Sequence, residues 1–500
     1  MPIDVPLKNN RLGVLDIGSN SVRFVIYELF GAHFTPVYNE KVLAGLGRTL
    51  KATGRLSEDG KDLAFENLHR FKTISEAQGL GPLLIGATAA LRVAEDAPDF
   101  IAKVQREIGL DISPISGEEE ARLTAMGMLA ADHRATGLAA DLGGASLEFV
   151  HVQNNTVGIG TSLKLGPFEM LGSDPAAADN FTDKDIKARV EEKLDQIDLK
   201  AFEGEALHLI GGAWRNLASI HQERTAYPMR TLQAYRLAPE DAKSLALWAY
   251  GSGREDILGW SGINERRLET LPYSGYLLNM ILERMKPSVV IISTTGLREG
   301  LIYDFMDEKL RERDSLMDGC RDLARGNLQA VHFADPLYNF LKLSSAHFPS
   351  YFEAENENRL RKAACQLAGI GKGLHPDYRA GLVFDSVLYA PFAGLTHQER
   401  AYLALILFSS YTGKSLPKNS GAIEALLTDE ARLSARTYGA AMRLAIVASG
   451  RSPELLSWFR LFVEHGELKL TVDPAKSTLL SQRVMYRLRK LAQLSGLSGL

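Results

Sequence analysis

Cysteine is nearly absent from this chain: Cys320 and Cys365 are the only two in 500 residues. Two thiols cannot build a disulfide framework, and their scarcity points to a reducing compartment. Long apolar runs are missing as well. No stretch approaches the roughly 20 residues needed to span a bilayer, and the N-terminal MPIDVPLKNN lacks the apolar core of a secretory leader. A cytoplasmic location with no membrane partner is therefore expected. Nor does one sign of charge dominate. The 57 basic residues stand against 61 acidic ones for a net charge of -4, which excludes whole-molecule attraction to nucleic acid. A local basic groove for a polyanion stays open. What is present, 45% apolar and 24% charged residues, is the composition of a water-soluble globular protein. The length exceeds the roughly 100–200 residues of one ordinary core, so about three domains are expected.

The first structured run, RLGVLDIGSNSVRFVIYEL at residues 11–29, reads as strand, polar turn, strand, because β-branched residues flank a turn of Gly, Ser and Asn. A second copy follows as GLAADLGGASLEFVHV at residues 137–152. Two copies of one hairpin, separated by mixed strand and helix patterns, predict two similar α/β domains facing each other across a cleft. The alternation of strands and helices runs to about residue 306. Beyond it the patterns are helical, with Glu467 to Val472 as the one candidate strand. The expected domains are residues 1–130, 131–306 and 307–500.

Phosphate is held by backbone N–H groups where small residues let the chain approach closely. Four segments qualify: Gly18-Ser19-Asn20-Ser21, Gly143-Gly144-Ala145-Ser146, Gly211-Gly212-Ala213 and Thr294-Thr295-Gly296. A single such segment is usually only a turn, but two of these four open on an aspartate at a strand end. Asp16 and Asp141 stand at matching positions of the duplicated hairpin. Each alone reads as a turn-former; together they point to a shared hard-cation site, since Mg²⁺ takes one or two carboxylates plus waters and phosphate oxygens. Glu148 interrupts an apolar strand, and periodicity leaves open whether it faces solvent or the cleft.

Taken in order, Asp16-Ile-Gly-Ser-Asn-Ser21, Ala87-Thr-Ala-Ala-Leu-Arg92, Ile115-Ser-Gly-Glu-Glu-Glu-Ala-Arg122, Asp141-Leu-Gly-Gly-Ala-Ser-Leu-Glu148 and Gly296-Leu-Arg-Glu-Gly300 resemble the motifs of the exopolyphosphatase and guanosine pentaphosphate phosphohydrolase (Ppx/GppA) family, over residues 11 to 306. The resemblance implies an α/β fold of two ribonuclease H-like domains of the actin-like ATPase class, flanking the active cleft. It makes Glu120 the catalytic base, while Glu118 and Glu119 are explained by the helix dipole at a helix start. It assigns Asp141 and Glu148, with Asp16, to a divalent ion, Mg²⁺ or Mn²⁺, and to water orientation. It also assigns Arg92 and Arg23 to phosphate. Gly211, Gly212 and Arg267 become nucleotide-binding candidates. The expected activity is Mg²⁺-dependent removal of terminal phosphate from inorganic polyphosphate. Guanosine pentaphosphate hydrolysis, or simple binding of guanosine penta- or tetraphosphate, is the alternative within the family. A sugar or acetate kinase or a chaperone-like ATPase is the alternative on the same fold, opposed by the Ser116 to Arg122 segment.

Residues 307–500 resemble the helical HD-like domain of the longer family members. The His-Asp pair of a working HD site is replaced by Leu367-Ala368-Gly369-Ile370-Gly371, so no metal is expected there. His375, Asp377 and His397 read as surface or capping residues. The expected role is to extend a channel for a long anionic chain, using basic residues such as Arg359, Arg361, Lys372 and Arg487 if they converge. A homodimer packed through this domain fits the longer family members.

Overall fold

The structure is a computed structural model that describes residues 10–81, 83–171, 184–252, 256–257, 260, 270–418 and 420–499. Two compact units divide at Arg313/Asp314. Both expected hairpins form. In the first unit β1 (Arg11–Ile17), β2 (Val22–Phe30), β3 (His33–Val42) and β4 (Leu83–Ala87) make a sheet of order β3-β2-β1-β4. The second sheet contains β5 (Gly137–Leu142), β6 (Leu147–Gln153), β7 (Thr156–Val157), β8 (Thr161–Leu163), β9 (Ala206–Gly211), β10 (Tyr235–Leu237) and β11 (Val289–Ile292). Its order is β10-β11-β9-β5-β6-β7, with β8 also paired to β6.

The same bond closes both hairpin turns: Gly18 N donates to Ser21 O and Gly143 N to Ser146 O, each at 3.0 Å. Parallel pairing of β1 with β4, and of β9 with β5 and β11, brings the carboxyl ends of these strands together. That is where open α/β sheets form their ligand crevice.

The helices used below are α1 (Leu50–Thr53), α2 (Glu58–Ala77), α3 (Ala89–Val93), α4 (Ala97–Ile108), α5 (Gly117–Ala131), α6 (Pro167–Leu171), α7 (Lys184–Leu194), α8 (Gly212–Arg224), α9 (Pro239–Gly251), α10 (Leu271–Met285) and α11 (Leu297–Phe305). Each sheet packs helices on one face. Phe24 of β2 meets Phe71 of α2 at 5.3 Å between ring centroids, and α4 completes that core through Phe100 and Val104. In the second sheet Leu207 and Leu209 are covered by Trp214 of α8, by α9 and α10, and by Val190 and Leu194 of α7. A third core joins the two sheets. Val14, Val25, Ala121, Ala125, Ala139, Val150 and Ile302 share it, and burying each large aliphatic side chain contributes about 1.5–3 kcal/mol.

Within that shared core α5 and α11 touch backbone to backbone. A Cβ at Gly300 would lie 1.7 Å from Leu123 O, and one at Gly127 would lie 2.1 Å from Gly296 O. No side chain larger than hydrogen fits at either crossing point, which explains both glycines inside otherwise good helices.

The second unit is mainly helical. Its helices include Leu328–Ser345, Ala354–Gln366, His397–Tyr411, Asp429–Ser449 and Gln482–Ser495. The expected strand Glu467–Val472 forms, but it pairs with Phe459–Glu464, which the sequence pattern had not predicted. His465 and Gly466 have φ of 50° and 78°, the left-handed pair that a two-residue hairpin turn demands. Cys320 and Cys365 are buried, as expected for small apolar residues. His375 and Asp377 are exposed, and His397 is buried at a helix start.

Two of the basic residues named as channel candidates are consumed internally. Arg359 grips Asp314 through Nε and Nη2 at 2.8 and 2.9 Å. Arg361 is buried, 3.0 Å from Glu357, and donates to the carbonyls of Ser345 and Pro349. Among the described residues no helix is long and apolar enough to cross a membrane.

Candidate active site

A cleft of about 290 Å³ opens between the two sheets of the first unit. Of the residues predicted from sequence, it is lined by Asp16, Gly18 to Ser21, Arg23, Glu120, Asp141, Gly143 to Ser146, Gly211 and Gly212. Arg92 and Glu148 stand just behind this lining, each through a neighbour. Arg267 lies outside the described residues.

Glu120 is placed by the start of α5. Ser116 caps that helix, its Oγ accepting from Glu119 N at 3.1 Å. The three consecutive acids then separate by about 100° each. Glu118 is exposed, Glu119 pairs with Arg122 at 2.8 Å, and Glu120 turns into the cleft. Arg92 Nη1 reaches Glu120 Oε2 at 3.2 Å and is fixed by the Ile115 carbonyl at 2.8 Å.

Asp141 ends β5, and Glu148 stands directly across from it on β6. Asp141 Oδ2 accepts from Thr124 Oγ1 at 3.1 Å. Thr124 is one turn beyond Glu120 on α5, so one helix face orients both the base and its acidic neighbour. Glu148 is 2% exposed and accepts from Ser162 Oγ at 2.9 Å, which removes the solvent-facing alternative. Burial pushes Glu120 up to about 7, against the partial relief given by Arg92, and pushes Asp141 up to about 6. Glu148 rises well above the carboxylate range through burial and the charges of Glu120 and Asp141. Asp16 also rises by burial, opposed by Arg298 and Arg23.

The Gly211 turn requires glycine. Its φ is 114°, and a Cβ would lie 2.5 Å from Leu142 O, so the strand end at β9 packs directly on β5. The fourth suspected cradle does not offer its amides. Thr294 N donates to Gln233, Thr295 N to Ser293 Oγ and Gly296 N to Glu299.

Sequence reasoning missed Lys41, Arg215, Arg298 and Glu299, all of which line the cleft. Arg298 and Glu299 were legible in principle, since they sit in the Gly296 to Gly300 motif. Lys41 carries no local signal; only the pairing of β3 with β2 brings it to the cleft. Among the described residues no group of three or more His, Cys, Asp or Glu side chains is placed to hold a metal ion by itself.

The sequence profile of the Ppx/GppA phosphatase family matches residues 25–309, and that of the exopolyphosphatase C-terminal domain matches residues 320–499. The chain belongs to the Ppx/GppA phosphatase family. Exopolyphosphatase 1 of Mycobacterium bovis is 26% identical over 323 residues, spanning 62% of this chain and 90% of the relative. Exopolyphosphatase 1 of Mycobacterium leprae is 25% identical over 324 residues, spanning 62% and 91%. Among solved structures, the Aquifex aeolicus Ppx/GppA family member matches with a TM-score of 0.51 at 24% identity, covering 60% of this chain and 97% of that one. An exopolyphosphatase from Cytophaga hutchinsonii matches with a TM-score of 0.50 at 22% identity, covering 59% and 96%. The first unit therefore has the actin-like fold of Ppx/GppA proteins, and the expected family and hydrolase class hold. The solved structures match the α/β part; the helical unit is matched by its own C-terminal profile.

Proposed function

We propose that the cleft hydrolyses the terminal phosphoanhydride of inorganic polyphosphate, with Glu120 as the base. The observation that carries this reading is the placement of Glu120. It is partly buried at the start of α5, in contact with Arg92, and stands between two glycine-rich turns and the Asp141–Glu148 pair. A carboxylate whose proton affinity sits near neutrality is matched to accepting a proton from water. The water oxygen bonds to the terminal phosphorus as the bond to the bridging oxygen breaks. Glu120 takes the water proton, and the shortened chain leaves as an anion. Backbone amides of the 18–21 and 143–146 turns and the Arg92 guanidinium are the groups available to the phosphoryl oxygens as their charge redistributes. The bond that closes each turn uses only its first amide.

The donor set also fits a hard divalent ion. Asp141 and Glu148, with Asp16 across the cleft, offer carboxylate oxygens whose ionised form is disfavoured chiefly by burial. An open site with few carboxylates suits Mg²⁺ or Mn²⁺, which keep several waters and phosphate oxygens. When bound, such an ion supplies positive charge to the phosphate oxygens and lowers the cost of ionising these acids.

In the same reading the two sheets are the ribonuclease H-like domains, divided near residues 130/131. The helical unit is an HD-like domain that has lost its metal ligands and serves longer chains. The test is phosphate release from long-chain polyphosphate with Mg²⁺. Glu120→Gln should abolish release; undiminished turnover by that variant would remove Glu120 from the mechanism.

A further inference from the structure

The two glycine-rich turns share more than the bond that closes them. Each is backed by a second loop, and the two backings have one pattern. Behind the first turn, Gly45 N donates to Asn20 O at 3.0 Å and Gly47 N to Ser19 O at 2.8 Å. Behind the second, Gly166 N donates to Ala145 O at 3.0 Å and Phe168 N to Gly144 O at 2.9 Å. In both hairpins the accepting carbonyls are those of the second and third turn residues, and the donors stand two residues apart. A trans peptide points its C=O and its N–H in opposite directions. Carbonyls 19 and 20, drawn back to one loop, therefore turn the amides of Asn20 and Ser21 the other way, and carbonyls 144 and 145 do the same for Ala145 and Ser146. All four of these residues line the cleft.

The backing loops lie too close to the turns for side chains. A Cβ at Gly166 would lie 2.2 Å from the Ala145 carbonyl carbon, and one at Gly47 would lie 2.9 Å from Ser19 Cβ. Neither glycine has a positive φ, so contact alone, and not backbone conformation, demands the missing side chain. Each loop adjoins a short helix, α1 after the first and α6 within the second. These two helices are tied together: Lys51 Nζ of α1 donates to Glu169 O of α6 at 3.0 Å. Lys51 is exposed and is not part of the cleft lining. Its bond therefore joins the backing of one turn to the backing of the other from outside the cleft.

We propose that residues 45–47 and 166–168 are braces that aim the turn amides into the cleft, and that Lys51 is a positioning residue that clasps one brace to the other and so fixes the spacing of the two turns. The proposal deepens the polyphosphate reading and rests on it. A phosphoryl group held from both sheets needs the two sets of amides at a set distance before it arrives. Without the clasp the free protein spreads over wider spacings, and apparent affinity falls in proportion to the fraction that stays competent. Once both turns hold the group, the group itself restores the spacing. The loss therefore falls on binding more than on turnover.

The test is steady-state phosphate release from polyphosphate with Mg²⁺. Lys51→Met keeps the stem and removes the donor. KM should rise about three- to tenfold, the range for losing one hydrogen bond, while kcat changes less than about twofold and Lys51→Arg recovers most of the loss. Gly166→Ala should lower kcat/KM about a hundredfold or more, the cost of one mis-aimed oxyanion donor. Gly47→Ala, whose methyl group meets chiefly side chains, should lose less, and it carries the test of the braces if Gly166→Ala fails to fold. A wild-type KM in Lys51→Met, or a loss that Lys51→Arg leaves unrepaired, overturns the clasp. Wild-type kinetics in Gly47→Ala and in any folded Gly166→Ala overturn the braces. A second readout is independent of turnover. Nitroxides attached at Ala52→Cys and Lys164→Cys, both exposed positions beside the braces, should show a broader spread of distances once Lys51→Met is added, and an unchanged spread overturns the clasp. Wild-type protein that releases no phosphate, yet shows that broadening on Lys51→Met, would refute the polyphosphate reading while upholding the clasp.

Discussion

Replacing Glu120 by Gln should abolish turnover and, at alkaline pH without metal, make the folded protein more stable. Glu120 carries an ordinary value of 4.5 raised to about 7 by burial, with Arg92 only partly compensating. Its side chain is 15% exposed, so solvent screens it little. Below pH 4.5 the acid is neutral in both folded and unfolded chains, and it makes no difference to stability. Between pH 4.5 and 7 the unfolded chain ionises first, and folding becomes progressively less favourable. Above pH 7 the full cost is present. At about 1.4 kcal/mol per tenfold change in proton affinity, that cost is about 3 kcal/mol. Gln mimics the neutral acid and escapes it. Thermal scans in chelator at pH 5 and pH 8 should show the variant near wild type at the lower pH and roughly 4–8 °C above it at the higher one. Adding Mg²⁺ should raise wild type more than the variant. A variant equal to or less stable than wild type at pH 8 would refute the argument that the cleft acids are strained by burial, and would assign Arg92 the dominant role.

Three further outcomes follow from other parts of the molecule. Gly300→Ala puts a methyl group 1.7 Å from Leu123 O, so α5 and α11 must separate. Overpacking of that kind costs about 1–3 kcal/mol or more, and calorimetry should show it as lost stability together with lost activity. Glu357→Gln strips the buried Arg361 of its counter-charge, while the Tyr402 and Ser434 hydroxyls remain nearby; breaking such a pair costs about 3–5 kcal/mol, read as a lower urea midpoint. Asp141→Asn should raise the Mg²⁺ concentration needed for half-maximal phosphate release, and an unchanged requirement would move the ion elsewhere.

Both hairpins were legible because each contains an uncommon local sentence: β-branched approach, aspartate, small-residue turn, β-branched return. The helix carrying Glu120 was legible for the same reason, with Ser116 as its cap and three acids after it. Local pattern alone could not rank those acids, and only the motif resemblance pointed to Glu120, because the geometry depends on Arg122, itself paired with Asp304, drawing Glu119 away. Nor could periodicity place Glu148. The strand around it is buried on both faces, and in such strands alternation no longer marks solvent. Lys41 was invisible because strand register is a long-range property. Phe459–Glu464 was missed in a region where helical patterns surround it, although the His465-Gly466 turn was available as a cue. Arg359 and Arg361 read as surface charges until their partners Asp314 and Glu357 came into contact.

The glycine crossing of α5 and α11 has a mechanical meaning. Glu120 stands seven residues from Gly127, roughly 10 Å along the helix axis, and Arg298 stands two residues from Gly300, roughly 3 Å. The spacing between the base and the cation is therefore set by main chain resting on main chain. Side chains between two helices can swap rotamers and let the gap drift; two touching backbones have no such play. The crossing works as a bearing with a hard stop. Any widening of this cleft, in evolution or by engineering, must come from the sheets and their turns, because the helices that carry the chemistry cannot be spread without lifting them off each other.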